Sequence, residues 1–328
     1  NFADDNFNDW NEMTSGTLNP GEGYLVYPQA AYIDPAYAGP PPVTTIAFPL
    51  SYTQGTLNNG TINQSIVYNG GSNPDGTPNI LANPYPSPIS ANLLVTNNAL
   101  INEVYFWEHL TPPSSSTPGA NTINVSMDDI SMHNGTMGVP AANDTGTSTT
   151  PNGVISTAQG FGIKAFASGT VSFTNSMRLT TGNTTLRNNV EEIDKITLKV
   201  ENDQFELRSY TGIGFRSEGT PQLDQNMDSN RLATMIALYS HLEDGSEQLG
   251  IQTRESFETG IKIPMGFASQ VDTDALYVIS ISSIEGSEIT NAHVYLVDHL
   301  TNTITDLTQG SYQFSSNKGT FNNRFTLQ

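Results

Sequence analysis

The sequence predicts an all-β protein, built as antiparallel β-sandwich or jelly-roll-like domains with long loops and at most short helices. Three observations carry that prediction. Between residues 190 and 328, apolar side chains recur at every second position, the period of a strand with one buried face. Residues 1–186 are interrupted by Pro- and Gly-rich runs that fit neither a helix nor a central strand. Charged residues make up only 13% of the chain, and Ser, Thr, Asn and Gly replace them, as suits exposed strand faces and turns.

The loop-rich β domain is expected over 1–186 and the antiparallel sandwich over 187–328. In the first, Tyr37–Pro42, Thr111–Gly119 and Asn134–Asn152 read as irregular loops. Gly21–Val26 resembles Gln159–Lys164 with Gly23 set on Gly160, and an apolar strand follows each, near Thr45–Phe48 and Thr170–Phe173. Pro84, Pro86 and Pro88 fix φ and make a rigid connector. Ser90 before Ala91–Leu94 reads as the N-cap of a short helix. Phe106 and Trp107, adjacent in an apolar run, should point to opposite sides of a sheet.

In the second domain, Ile196, Leu198 and Val200 pair through a turn at Asn202–Asp203 with a strand carrying Phe205 and Leu207. Ala233–Tyr239 fits either a helix or a buried strand. Ile263–Phe267, Tyr277–Ile281, His293–Asp298, Thr303–Leu307, Tyr312–Phe314 and Phe321–Leu327 supply further strands. Asn302, Gly310 and Lys318–Gly319 mark turns between them.

Composition excludes several classes of function. Twelve Lys+Arg against 32 Asp+Glu give a formal charge of −20, so nucleic acid is repelled rather than bound. With no Cys there is no disulfide framework, thiolate zinc site or Cys nucleophile. That suits export across a bacterial outer membrane better than a secreted eukaryotic domain. No apolar run approaches the roughly 18 residues of a transmembrane helix. The polar start Asn1–Asp5, without Met, reads as the interior of a longer precursor.

Several segments carry a resemblance: Ala82–Ile89, Val104–His109, Ala158–Ala165 and Thr174–Arg178, followed by Ile263–Phe267, Asp298–Asn302 and Gly319–Phe325. In this order they resemble the C-terminal β-rich module of large Bacteroidetes surface proteins exported by the type IX secretion system. In that family the module precedes a sorting domain. The resemblance implies an extracellular or cell-surface location and a non-catalytic role in adhesion or display. Two alternatives are an accessory carbohydrate-binding part of a polysaccharide-acting enzyme and a stable partner of the outer-membrane secretion or gliding machinery. The ligand would be a surface glycan or a protein.

No catalytic constellation is evident. Gly160-x-Gly162-x-x-Ala165 lies in a strand-like run and opens no helix, so it lacks the means to bind a phosphate. Glu108 and His109 should face opposite sides of one strand, and the carboxylate pairs Asp128–Asp129 and Glu191–Glu192 have no visible partner. No cofactor is required. The one candidate metal site is a Ca²⁺ loop of Asp224, Asn226, Asp228 and Asn230, with oxygen ligands at every second position. Ser229 and Met235 stand where such a loop has Gly and a bidentate Glu, and a turn capped by Asx side chains explains the same residues. Asp4, Asp5, Asn8 and Asp9 form a second oxygen-rich run. Tyr24, Tyr27, Tyr32, Tyr37, Tyr52, Tyr68 and Tyr85 are candidates for a glycan platform or for core and turn positions.

Overall fold

A computed structural model describes residues 13, 16–25, 55–70, 76–112, 126–146, 150–181 and 193–328. The class is all-β: 44% strand, 6% helix and no helix of seven or more residues. Among the described residues no helix is long and apolar enough to cross a membrane. The Asp4–Asp9 and Tyr37–Pro42 runs, the Thr45–Phe48 strand, Pro113–Gly119 and Glu191–Glu192 lie outside the described residues.

The first half contributes β1 (Ile62–Ile66), β2 (Thr77–Ala82), β3 (Ile89–Ser90), α1 (Ala91–Thr96), β4 (Glu103–Trp107), β5 (Ile130–Asn134), β6 (Gly138–Val139), β7 (Val154–Ile155), β8 (Gly160–Ala165) and β9 (Gly169–Phe173). Five of them form one antiparallel sheet in the order β2-β8-β4-β5-β6. The capped helix is present: Ser90 Oγ accepts the Leu93 N–H at 3.1 Å. It buries Leu94 and Val95 in a core with Leu81, Val104, Phe106, Phe161 and Phe173. The two Gly-initiated segments lie along opposite edges of β2, since Leu81 bridges Glu22 on one side and pairs with Phe161 on the other. A Cβ on Gly23 would overlap Ile80, so only glycine permits that approach.

The second half contributes β10 (Asp194–Asn202), β11 (Leu207–Phe215), β12 (Ser229–Asn230), β13 (Ile236–Ser240), β14 (Leu249–Arg254), β15 (Ile263–Ser269), β16 (Ala275–Glu285), β17 (Tyr295–Asp298), β18 (Thr303–Asp306), β19 (Tyr312–Ser316) and β20 (Gly319–Leu327). They form one sheet in the order β18-β17-β20-β15-β13-β14-β11-β10-β16-β19, with β12 beside β14. Burying Ile196, Leu198 and Val200 of β10 stabilises it by about 5–9 kcal/mol before chain entropy is counted.

Two details differ from the sequence expectation, and one open alternative is decided. Phe205 is an exposed turn residue, because β10 pairs Asn202 with Leu207 and leaves a four-residue turn. The ambiguous 233–239 run becomes strand from Ile236, where every residue to Ser240 is buried. β11 and β14 run parallel, which the long connection through β12 and β13 allows.

The two ends of this sheet meet, and Thr303 Oγ1 on the edge strand β18 donates to Tyr312 Oη on the edge strand β19 at 3.2 Å. Tyr312 on β19 donates its hydroxyl to Asp298 Oδ2 on β17 at 2.8 Å. Arg324 on β20 donates to the same carboxylate through Nη2 at 3.1 Å and to Ser315 O through Nη1 at 3.1 Å. Its guanidinium lies 4.4 Å from the Phe314 ring centre. Side chains rather than ladder hydrogen bonds therefore close the sheet around Phe267, Tyr277, Phe314 and Phe325.

The two halves are packed against each other. Met132 and Met137 of the first sheet lie over Gly250 and Gly212 of the second, where any Cβ would collide with them. Asn134 Nδ2 donates to Met227 O at 2.6 Å, and Gly135 N to Asn226 O at 2.7 Å.

Candidate functional site

Two motifs that are separate in the sequence converge at one end of the β4–β5 hairpin. Register places Trp107 opposite Ile130, so the residues after Trp107 lie beside those before Ile130. Glu108 N accordingly donates to Asp129 O at 2.9 Å. The expectation that Glu108 and His109 face opposite sides of one strand is corrected here, because β4 ends at Trp107. His109 turns into the left-handed region at φ +53° and folds its ring back on Trp107, with ring centres 3.7 Å apart and planes 25° apart. Non-Gly residues adopt that conformation at a cost of about 1 kcal/mol or more, offset here by the stack. Phe106 points into the core while Trp107 is half-buried, and the buried Trp107 Nε1 has no partner among the described residues.

Asp129 anchors the loops around the stack. Its carboxylate accepts Thr111 N at 2.7 Å, Thr111 Oγ1 at 2.8 Å and Asn143 Nδ2 at 2.7 Å. Asp128 lies within the same 3-10 turn, Met127–Asp129, with Ser126 Oγ accepting its N–H at 3.2 Å. Ser131 donates to Glu108 Oε1. From the second half, Tyr210 donates to Asp144 O at 2.8 Å. Burial raises the pKa of Glu108, and the charge of Asp144 reinforces it against the Ser131 bond. Burial raises Asp128 too, helped by the neighbouring Asp129. Burial lowers His109, opposed by Asp129. Tyr210 is pushed up to about 12, by burial first and Asp144 second.

The resulting surface is a ring stack beside the Glu108 and Asp129 carboxyl groups. Carboxyl oxygens accept hydrogen bonds, and the rings offer an apolar face. Asp128–Asp129 and the Val104–His109 strand were visible in the sequence. Ser131, Asn143, Asp144 and Tyr210 were not, since nothing local marks a residue supplied by another loop or by the other half.

The remaining candidates are dispersed. Asp224 accepts Thr220 N at 2.6 Å and Thr220 Oγ1 at 2.9 Å. Asp228, buried and with its pKa pushed up to about 7 chiefly by desolvation, accepts Asp224 N at 2.8 Å and Thr253 N at 2.7 Å. Asn226 sits at φ +67° with its Oδ1 buried and unpartnered among the described residues, and Asn230 is exposed on β12. The two carboxylates thus fix the backbone of the loop itself. Tyr85 is a core residue, donating to Gly60 O at 2.6 Å, and Tyr24 donates to Glu22 Oε2 at 2.8 Å. Tyr27, Tyr32, Tyr37 and Tyr52 lie outside the described residues. Of the other histidines, His133 and His241 are buried, His293 pairs with Asp306 at 2.7 Å, and His299 lies 2.8 Å from Thr326 Oγ1. Among the described residues, no three His, Asp or Glu side chains converge as a metal site. An open groove of about 460 Å³ lies beside Ile281, Ile284, His293 and Leu307, remote in sequence from the ring stack.

Residues 2–328 match the model of a family described as a domain of unknown function (DUF8693), and the chain belongs to that family. No curated protein and no solved structure matches the chain.

Proposed function

For this member of the family we propose a non-catalytic binding role, as a surface-displayed or secreted module of a type IX secretion cargo that serves adhesion. Its contact surface is the Trp107–His109 end of the β4–β5 hairpin, and its ligand class is a surface glycan. The observation that supports this is the ring stack at 3.7 Å with Glu108 and Asp129 beside it. A sugar ring presents an apolar C–H face to an aromatic plate and hydroxyls to neighbouring carboxyl and amide groups, which is the chemistry of this surface. The rigid sheets behind it limit the ordering cost of binding.

The same surface suits the carbohydrate-binding part of a larger polysaccharide-acting enzyme, a reading that differs only in what is attached. A glycan array probed with the 328-residue chain tests both. Binding that disappears in Trp107→Ala, without release of reducing sugar, is the expected result. Turnover that vanishes in Glu108→Gln would replace adhesion with catalysis, and an array without hits would remove the glycan.

A further inference from the structure

β10 pairs with β16 from Val278 to Glu285, whereas β19 pairs with it only from Ala275 to Ile279. Among the described residues, Ser280–Glu285 therefore has a strand on one side and none on the other. The groove of about 460 Å³ opens beside this stretch, with Ile281 and Ile284 on one wall and Ala292, His293, Leu307 and Thr308 on another.

Strand register explains the apolar wall. Ile281 pairs with Leu198 and Ile284 with Ile196, so both share the inner face of these two core residues. Three positions apart, they share a face because Ser282 is an extra residue opposite the Thr197–Leu198 step. Both pack against the core yet stay half-buried, whereas Ile196 is 3% and Leu198 0% exposed. A bulge commonly blunts a sheet edge, but this one turns a second isoleucine into the groove. The six-residue edge is about 20 Å long, and its outward N–H and C=O groups match the ladder of an added extended chain.

Charge selects among extended chains. No Lys or Arg of the described residues lines the groove. Glu285 and Glu288 are exposed at the end of β16, Lys195 is paired with Glu285 at 3.0 Å, and His293 with Asp306 at 2.7 Å. Of the 12 Lys and Arg residues, only Arg187 lies outside the described residues, so no other segment brings a basic cluster here. A second copy would carry the same charge of −20 and be repelled.

We propose that this groove takes an extended segment of a second protein, added as a strand beside Ser280–Glu285, with apolar side chains at alternate positions and Lys or Arg at its ends. The proposal goes beyond the glycan reading, since no groove residue belongs to the ring-stack site.

The test titrates the full chain into a fluorescein-labelled peptide, Lys-Val-Thr-Val-Thr-Val-Lys, and into its counterpart with Glu at both ends, followed by anisotropy. The basic peptide should bind saturably and at least about tenfold more tightly than the acidic one. Ile284→Arg should weaken it by about tenfold or more. No saturable binding, equal affinity for the two peptides, or unchanged affinity in Ile284→Arg would overturn the proposal. Should that variant not fold, nitrogen-15 shift mapping on the unaltered protein decides the matter. The basic peptide should move the amide resonances of Ser280–Glu285, and shifts confined to other residues would reject the site. Alternate amides of a strand point to opposite sides. Hydrogen-exchange protection of every amide from Ser280 to Glu285 in the free protein would thus show that this chain or a second copy already fills the place, and would also overturn the proposal.

Discussion

Replacing Arg324 with Met probes how the second sheet closes. The substitution keeps an apolar stem but leaves the Asp298 carboxylate, whose side chain is 0% exposed, without its cation. Removing one partner of a buried ion pair costs about 3–5 kcal/mol. Tyr312 Oη and Leu300 N each still donate to that carboxylate at 2.8 Å, so the lower end applies. Loss of the guanidinium over Phe314 and of its bond to Ser315 O adds about 1 kcal/mol, for a total of about 4 kcal/mol. Adding Asp298→Asn removes the stranded charge and should recover about half of that, giving a coupling of about 2 kcal/mol. Urea unfolding followed by far-ultraviolet circular dichroism measures all four corners of the cycle. Burial alone would raise the pKa of Asp298, but donors from Tyr312, Arg324 and Leu300 together hold it below 3.8. The contribution is therefore present above that value and lost as pH falls through the lower folded-state value. A cost under 1 kcal/mol for Arg324→Met, or an additive cycle, would refute the closure argument.

Other predictions concern single sites. His133 has its pKa lowered from 6.5 to about 4, mainly by burial, so it removes stability as pH falls across that window. Asp228 is raised from 3.8 to about 7, also by burial, so it adds stability over the same fall, and each effect is limited to about 3 kcal/mol. Stability of Asp228→Asn should thus fall more steeply than that of the parent protein between pH 7 and 4, and that of His133→Phe less steeply; parallel profiles would count against both assignments. Gly266→Ala places a methyl into the Tyr239 ring and should cost about 1–3 kcal/mol in urea unfolding. Millimolar Ca²⁺ should leave Tm unchanged, because Asp224 and Asp228 already accept donors within their own loop and from Thr253; a saturable rise would restore the metal loop.

Much of the second sheet is legible because one buried face imposes a two-residue period, as in Ile196, Leu198 and Val200 or Tyr277 and Ile279. The Ser90 cap is legible because its hydrogen bond spans only three residues. What escapes is set by contacts distant along the chain. Asp298 and Arg324 stand 26 residues apart and meet only when the sheet closes. Phe205 follows the alternation yet falls in the turn, since the ladder stops at Asn202–Leu207. The ring-stack site combines two visible motifs, but their union depends on the Trp107–Ile130 register, which neither segment encodes alone. Tyr210 reaches it from the other half.

The sharpest test of the binding surface uses the two tryptophans of the chain, Trp10 and Trp107. With the indole N–H groups labelled with nitrogen-15, a glycan selected on the array should shift the Trp107 resonance saturably. A glycan that binds with equal affinity while Trp107 stays unmoved would place recognition elsewhere and contradict the account.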